Sequence, residues 1–252
     1  MTDRWIVTPQ YFEAPEPQLF DVAPGDALRN GPHAIKGRDA AAMATLHRPI
    51  AAAVAAALRA GDRAVSLAGD CCAAVPALAG CQQAGRRPKL VWIDAHGDFN
   101  TPETSPSQFL GGMPLAMMVG RGPQWMMDGV TAAPMAEAEV VLVDARDLDP
   151  LEAEAVAGSG LEHITVEALT ELSLEGPVLL HIDMDVLDAE TAPAFNYPVP
   201  GGPGAAAMAR ALERFAARHQ IACVSISAWS PSKDADGATG RACMAALAPL
   251  FD

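Results

Sequence analysis

The stretch that most constrains this chain runs from Val91 to Gly112, VWIDAHGDFNTPETSPSQFLGG. Its apolar lead-in, KLVWI from Lys89, reads as a buried strand, and Asp94, His96 and Asp98 follow at alternate positions. Side chains two residues apart on a strand-like backbone point the same way. Two carboxylates flanking an imidazole at the end of a buried strand are costly together unless a cation joins them. A divalent metal meets that need, and a solvated turn is the alternative. The loop beyond is rich in hydroxyls, with Asn100 and with Gly111-Gly112 to permit close approach of a ligand.

The chain has 252 residues, 50% hydrophobic and only 5% aromatic, so an aliphatic core is expected. No linker, repeat or low-complexity break interrupts it, which predicts one α/β domain over residues 1–252. A net charge of −14 and a pI near 4.7 argue against a sequence-independent nucleic-acid binder, which needs a basic surface. The cysteines (Cys71, Cys72, Cys81, Cys223 and Cys243) are odd in number, with no CxxC pair. A reducing compartment follows rather than a disulfide framework. MTDRWIVTPQYF lacks the apolar segment of a signal peptide, and no charge-free apolar run of about 18 residues predicts a membrane span. The cytoplasm is the expected location.

Hydrophobic patterning predicts strands over Trp5–Thr8, Ala64–Ala68, Lys89–Ala95, Glu139–Asp144, Glu162–Val166, Val178–Asp183 and Ile221–Ala228. A helix is predicted from about Asp39, interrupted before Pro49 and stopped at Gly61-Asp62. Further helices are expected over Ala73–Ala84, Met113–Val119, Pro150–Ala157, Gly204–His219 and Thr239–Leu250. Residues Pro9–Pro32 and Gly120–Pro134 read as irregular. Strands alternating with helices imply crossover connections and a mainly parallel sheet, whose ligand site gathers at the carboxyl ends of its strands. Polar clusters follow Ala68, Ile93, Ile182 and Ile226, at four such ends.

The second metal-like cluster is HIDMDVLD, His181 to Asp188, where Asp183 and Asp185 share one face at the end of a strand. Two strands that each deliver alternating Asp or His can supply ligands for two hard cations. An oxygen-rich set with one imidazole favours Mn or a similar divalent ion over structural Zn. Two such ions about 3.5–4 Å apart would hold a hydroxide between them at neutral pH, which suits hydrolysis of an unreactive carbon. One structural Ca or Mg ion is the plainer alternative.

DAHGDFNTPETSPS with LGGMPLA, followed by HIDMDVLD, resembles the ureohydrolase family of arginases, agmatinases and formiminoglutamases. The resemblance runs over roughly Gly69 to Asp188. It implies a three-layer α/β/α arginase-like fold around a mainly parallel sheet of about eight strands. It also implies two Mn2+ ions, a small guanidine or amidine substrate and assembly as homotrimers or homohexamers. Carried over by position, Asp94 and Asp183 would bridge the metals, His96 and Asp185 would complete one site, and Asp98 would serve the other and aim the hydroxide. Asn100, Ser105 and Ser107 lie in the loop that, in amino-acid-specific members, recognises the substrate's α-carboxylate and amine.

The departures from the family pattern are as informative. Cys71 stands where a His ligand is usual, in Ala68-Gly69-Asp70-Cys71; a thiolate is softer and suits Zn, Fe or Co better than Mn. A family branch acting on hydroxyguanidines looks similar here, and the alternative for Cys71 is a small buried hydrophobe. Gly111 replaces the proton-shuttle His of arginases, and Ala228 replaces a Glu that pairs with the guanidinium. Asp234 or Asp236 could stand in only if their loop folds inward. His181 occupies a place usually held by a small residue beside the metal strand; it is a candidate for the catalytic group as a hydrogen-bond partner behind the metal ligands, with a satisfied core histidine as the alternative. Glu103 and Trp229 are further pocket candidates. The reading is a metal-dependent hydrolase of a linear C–N bond in an amidine, guanidine or N-hydroxyguanidine. Two alternatives remain, a catalytically impaired arginase-fold binding protein and a mononuclear Zn hydrolase.

Overall fold

A computed structural model describes residues 2–251. Its strands are β1 (Asp3–Thr8), β2 (Gln10–Tyr11), β3 (Ala14–Pro15), β4 (Leu28–Arg29), β5 (Arg63–Ala68), β6 (Lys89–His96), β7 (Val140–Asp147), β8 (Glu162–Ile164), β9 (Pro177–Asp183) and β10 (Gln220–Ser227). Eight of them form one sheet in the order β4-β1-β5-β10-β9-β6-β7-β8, and every pairing in it is parallel. The helices are α1 (Ala40–Arg59), α2 (Ala74–Gln83), α3 (Pro114–Met118), α4 (Trp125–Gly129), α5 (Pro150–Ala157), α6 (Ala205–Ala216) and α7 (Ala238–Leu247).

Strand alternation divides the apolar residues between two cores. Leu90 and Trp92 of β6 and Leu179 of β9 face α1 and α2, packing on Ile50, Val54 and Leu78. Val91, Ile93, Leu180 and Ile182 face the opposite layer, against Met208, Leu212 and Phe215 of α6. Strands buried on both faces read as continuous apolar runs, as KLVWI and VLLHI do. Each such side chain contributes about 1.5–3 kcal/mol on burial. The three-layer α/β/α arrangement expected from the sequence is therefore present.

Three expectations need correction. Helix α1 runs through Pro49 without a break. The carbonyl that Pro49 leaves without a partner belongs to Thr45, which is solvent-exposed, while Leu46, Ile50 and Val54 bury the opposite face. Residues 9–32, read as loop, contain the β2–β3 hairpin and β4, which extends the sheet beyond β1. Residues 120–134 contain the single-turn helix α4. Helix α1 is also long and apolar enough to cross a membrane, but 61% of that window is buried inside the fold, as in a core helix.

Candidate active site

Strands β5, β10, β9 and β6 are neighbours, so their carboxyl ends meet along one edge. There they enclose a cavity of about 250 Å³. Its wall includes Cys71 beyond β5, Asp94, His96 and Asp98 from β6 and its extension, and Asp183 and Asp185 from β9. Asn100, Ser105 and Ser107 line it as well. The sequence spacing thus brings nine predicted site residues to one place.

Each carboxylate is held in a set direction. The Trp92 indole donates to Asp94 Oδ2 at 3.0 Å, and the His96 backbone N–H donates to Asp94 Oδ1 at 2.8 Å. The Ser227 hydroxyl donates to Asp183 Oδ2 at 3.1 Å, and the Asp185 N–H to Asp183 Oδ1 at 3.1 Å. Asp98 adopts a left-handed φ of 48°, and its carbonyl receives the N–H groups of Leu115 and Ala116 at the start of α3. Such a backbone persists only where its surroundings fix it, as a docked helix end does here.

The electrostatics are those of a crowded anionic site. Burial, then Cys71 and Asp94, hold Asp98 well above the usual carboxylate range, and burial with Asp185 and Asp94 does the same to Asp183. Burial and Asp94 push Asp185 up to about 6. Burial opposes charge on His96, yet hydrogen bonds to Asp185 and Asp94 outweigh it and push the ring up to about 12. Its Nδ1 lies 3.3 Å from both Asp94 Oδ1 and Asp185 Oδ2.

These residues fit divalent cations. The buried oxygens Asp98 Oδ2 and Asp185 Oδ1 have no hydrogen-bond partner, a state a cation relieves. Ligand atoms of Asp94, His96 and Asp185 lie within 4.8 Å of one another, and so do those of Asp94, His181 and Asp183. Asp94 belongs to both groups, as a residue between two metals must. Hard oxygens with imidazole nitrogen suit Mn-like ions.

Cys71 faces the cavity as a thiol donating to the Gly111 carbonyl, with Sγ 3.1 Å from the oxygen. A hydrogen bond with the neighbouring Cys72 thiol, then burial, push it well above the ordinary thiol range. His181 departs from the expectation of a catalytic group: it is fully buried behind Asp94 and Asp183, outside the cavity wall, and cannot touch substrate. Its ring stacks on Trp92 at 3.9 Å, and burial lowers its pKa to about 4. Glu103 and Trp229 do not line the cavity. Asp234 caps α7 through the Thr239 and Gly240 N–H groups and accepts from Trp229, so neither it nor the exposed Asp236 replaces a carboxylate at Ala228.

Other lining residues escaped the sequence reading. Asp147 ends β7 and Asp149 follows two residues on, the pattern that marked β6 and β9, so they were findable. Tyr11 and Tyr197, the chain's two tyrosines, come from the β2 hairpin and the segment after β9. The first is placed because Gly69 approaches the hairpin closely, its N–H donating to the Gln10 carbonyl at 3.0 Å, where a Cβ would strike the Gln10 backbone. Arg146 fixes the second segment, donating to the carbonyls of Val199 at 2.8 Å and Pro200 at 3.1 Å. The Phe109 ring lies over Gly111, where a Cβ would collide with it, and packs 5.1 Å from the Tyr197 ring.

The Arginase family profile matches residues 24–251. The chain belongs to the arginase family. The arginase of Bacillus caldovelox is 31% identical over 229 residues, 85% of this chain and 77% of that protein. The N(omega)-hydroxy-L-arginine amidinohydrolase of Streptomyces lavendulae is 38% identical over 118 residues, 45% of this chain and 41% of that protein. The crystal structure of an arginase from Bacillus cereus matches with a TM-score of 0.87 at 26% identity, covering 100% of this chain and 98% of that one. As an arginase-family member the chain is a hydrolase, and it carries the Asp and His clusters that the family's binuclear metal centre calls for.

Proposed function

We propose that the protein hydrolyses a linear amidine carried on an amino-acid-like chain, at a centre of two divalent cations, preferably Mn2+. The observation that carries this reading is the convergence of Cys71, Asp94, His96, Asp98, Asp183 and Asp185 on one cavity. Asp94 and Asp183 would be shared between the cations, with His96 and Asp185 on one side and Asp98 with Cys71 on the other. The cations would supply Lewis acidity and make hydroxide available at neutral pH.

The chain's own groups do the rest. The free Oδ2 of Asp98 accepts a proton from the attacking water and returns it to the departing nitrogen as the tetrahedral carbon collapses. Ser105 Oγ accepts from the Gln108 N–H at 3.0 Å and Ser107 Oγ from the Phe109 N–H at 3.2 Å, and the two oxygens lie 3.4 Å apart, so one hydroxyl can donate to the other while the second donates to a substrate carboxylate. Asp149, oriented by Asn100 Nδ2 at 3.1 Å, and Asp147 offer negative charge to an ammonium.

Near the reacting carbon the cavity wall carries Ala228 instead of a carboxylate, while Tyr11 and Tyr197 bring uncharged hydroxyls. A guanidinium cation loses its ion pair there, whereas an N-hydroxyguanidine of lower basicity does not need one. An N-hydroxylated arginine-like substrate is therefore favoured over arginine. The protein's free, buried cysteines agree with a cytoplasmic setting. Incubating Mn2+-loaded protein with arginine and with hydroxyarginine, and measuring urea and hydroxyurea, tests the reading. Turnover of arginine alone would sink the preference, and turnover of neither would favour a binding protein.

A further inference from the structure

His181 lies two residues before Asp183 on the same face of β9, fully enclosed by protein. Its Nδ1 is paired with the Ser225 hydroxyl at 3.1 Å, while its Nε2 is buried with no hydrogen-bond partner. Stacking on Trp92, with ring centroids 3.9 Å apart, fixes the ring plane. One ring nitrogen held by a neighbour and the other left open is the arrangement in which a metal-ligating histidine is oriented. Two shared carboxylates are close by: ligand atoms of Asp94, His181 and Asp183 lie within 4.8 Å of one another, and all three residues are buried.

We propose that His181 Nε2 is a ligand of one of the two divalent cations that share Asp94 and Asp183, supplying from within the sheet an imidazole that position 71 does not offer. The inference rests on the binuclear reading above. It also gives Cys71 a different task. A thiol that is not required as a ligand can keep its proton and its 3.1 Å bond to the Gly111 carbonyl, tying down the loop that carries Ser105 and Ser107. Oxygen with two imidazoles, rather than oxygen with thiolate, leaves the pair without the soft sulfur donor that favours Zn2+, so the set remains open to Mn2+ and Co2+.

The test uses Co2+ as the probe in full-length protein with 15N-labelled histidine, counting histidines whose ring nitrogens show metal-shifted NMR signals, alongside metal content by elemental analysis. Two shifted histidines are expected, His96 and His181, with two equivalents bound. His181→Asn should lose one set and weaken one equivalent by about 10–100-fold. Cys71→Ser should keep both sets and both equivalents. The wild-type count decides the matter even if His181→Asn does not fold. Two equivalents with a single shifted histidine overturn the role of His181 and leave the binuclear reading standing. One equivalent bound through His181 overturns the binuclear reading and upholds the ligand. Absence of any bound metal overturns both.

Discussion

The Nε1 of Trp92 donates to the Oδ2 of Asp94 from two residues earlier on the same face of β6, at 3.0 Å. Because Asp94 belongs to both groups of converging ligand atoms, this one bond orients a carboxylate that serves two positions. Trp92→Phe keeps an aromatic ring in the core and deletes the donor. Metal affinity is expected to fall about 10–100-fold, read by calorimetric titration. Undiminished affinity would mean that the His96 N–H, at 2.8 Å, suffices to aim Asp94.

Removing metal should destabilise the fold. Asp94, Asp98, Asp183 and Asp185 are all buried beside one cavity, and two of their oxygens have no protein partner. Chelation leaves these groups uncompensated, whereas a cation binding only the native state adds about 2.7 kcal/mol at 100 times its dissociation constant. Scanning calorimetry should show a melting temperature that drops on chelation and climbs with added Mn2+. A temperature indifferent to both would show that the cavity binds no cation.

The metal-like centre was legible because its chemistry is contiguous. Asp94, His96 and Asp98 alternate at the end of one apolar run, Asp183 and Asp185 at the end of another, and strand geometry alone puts each set on one face. The tyrosines were not legible, because Tyr11 and Tyr197 are far apart in sequence and meet only through Gly69 and Arg146. The break expected at Pro49 failed for a related reason. Proline's cost is local, while the burial of Leu46, Ile50 and Val54 that offsets it is tertiary. His181 stood in plain view on the face shared with Asp183, but its burial against Trp92 and Ser225 separates it from substrate.

His47 sets an acid limit on stability. It is buried in α1 with Nδ1 unpartnered, and burial lowers its pKa from 6.5 to about 3. The unfolded chain therefore takes up a proton below pH 6.5 that the folded one refuses. The stability associated with a neutral His47 is present above pH 6.5 and is lost as pH falls towards about 3, at up to about 1.4 kcal/mol per pH unit. His47→Leu removes this dependence along with the unpaired nitrogen. The difference in urea midpoints between variant and wild type, both metal-free, should widen in the variant's favour from pH 7 to pH 4. The carboxylates of the cavity act with the opposite sign but equally in both proteins, so they cancel, and a constant difference would rule out His47 as the source.

Ala228→Glu tests what the cavity selects. Ala228 lines the wall directly after Ser227, the residue that anchors Asp183, and already adopts a left-handed φ of 72° that a glutamate would share. The new carboxylate could pair with a guanidinium through two parallel N–H···O bonds. Charge-assisted bonds contribute about 1.5–3 kcal/mol each, so kcat/KM for a guanidinium substrate should rise about tenfold or more. An N-hydroxyguanidine, less basic, should gain less, and the ratio of the two specificities is the quantity to measure. Adding an anion beside Asp183 also tightens the demand for cations, so metal content must be followed in the same samples. If both metals stay bound and the ratio does not move, the absence of a carboxylate at 228 is not what sets substrate charge, and the choice lies with the tyrosines and the acidic pair Asp147 and Asp149.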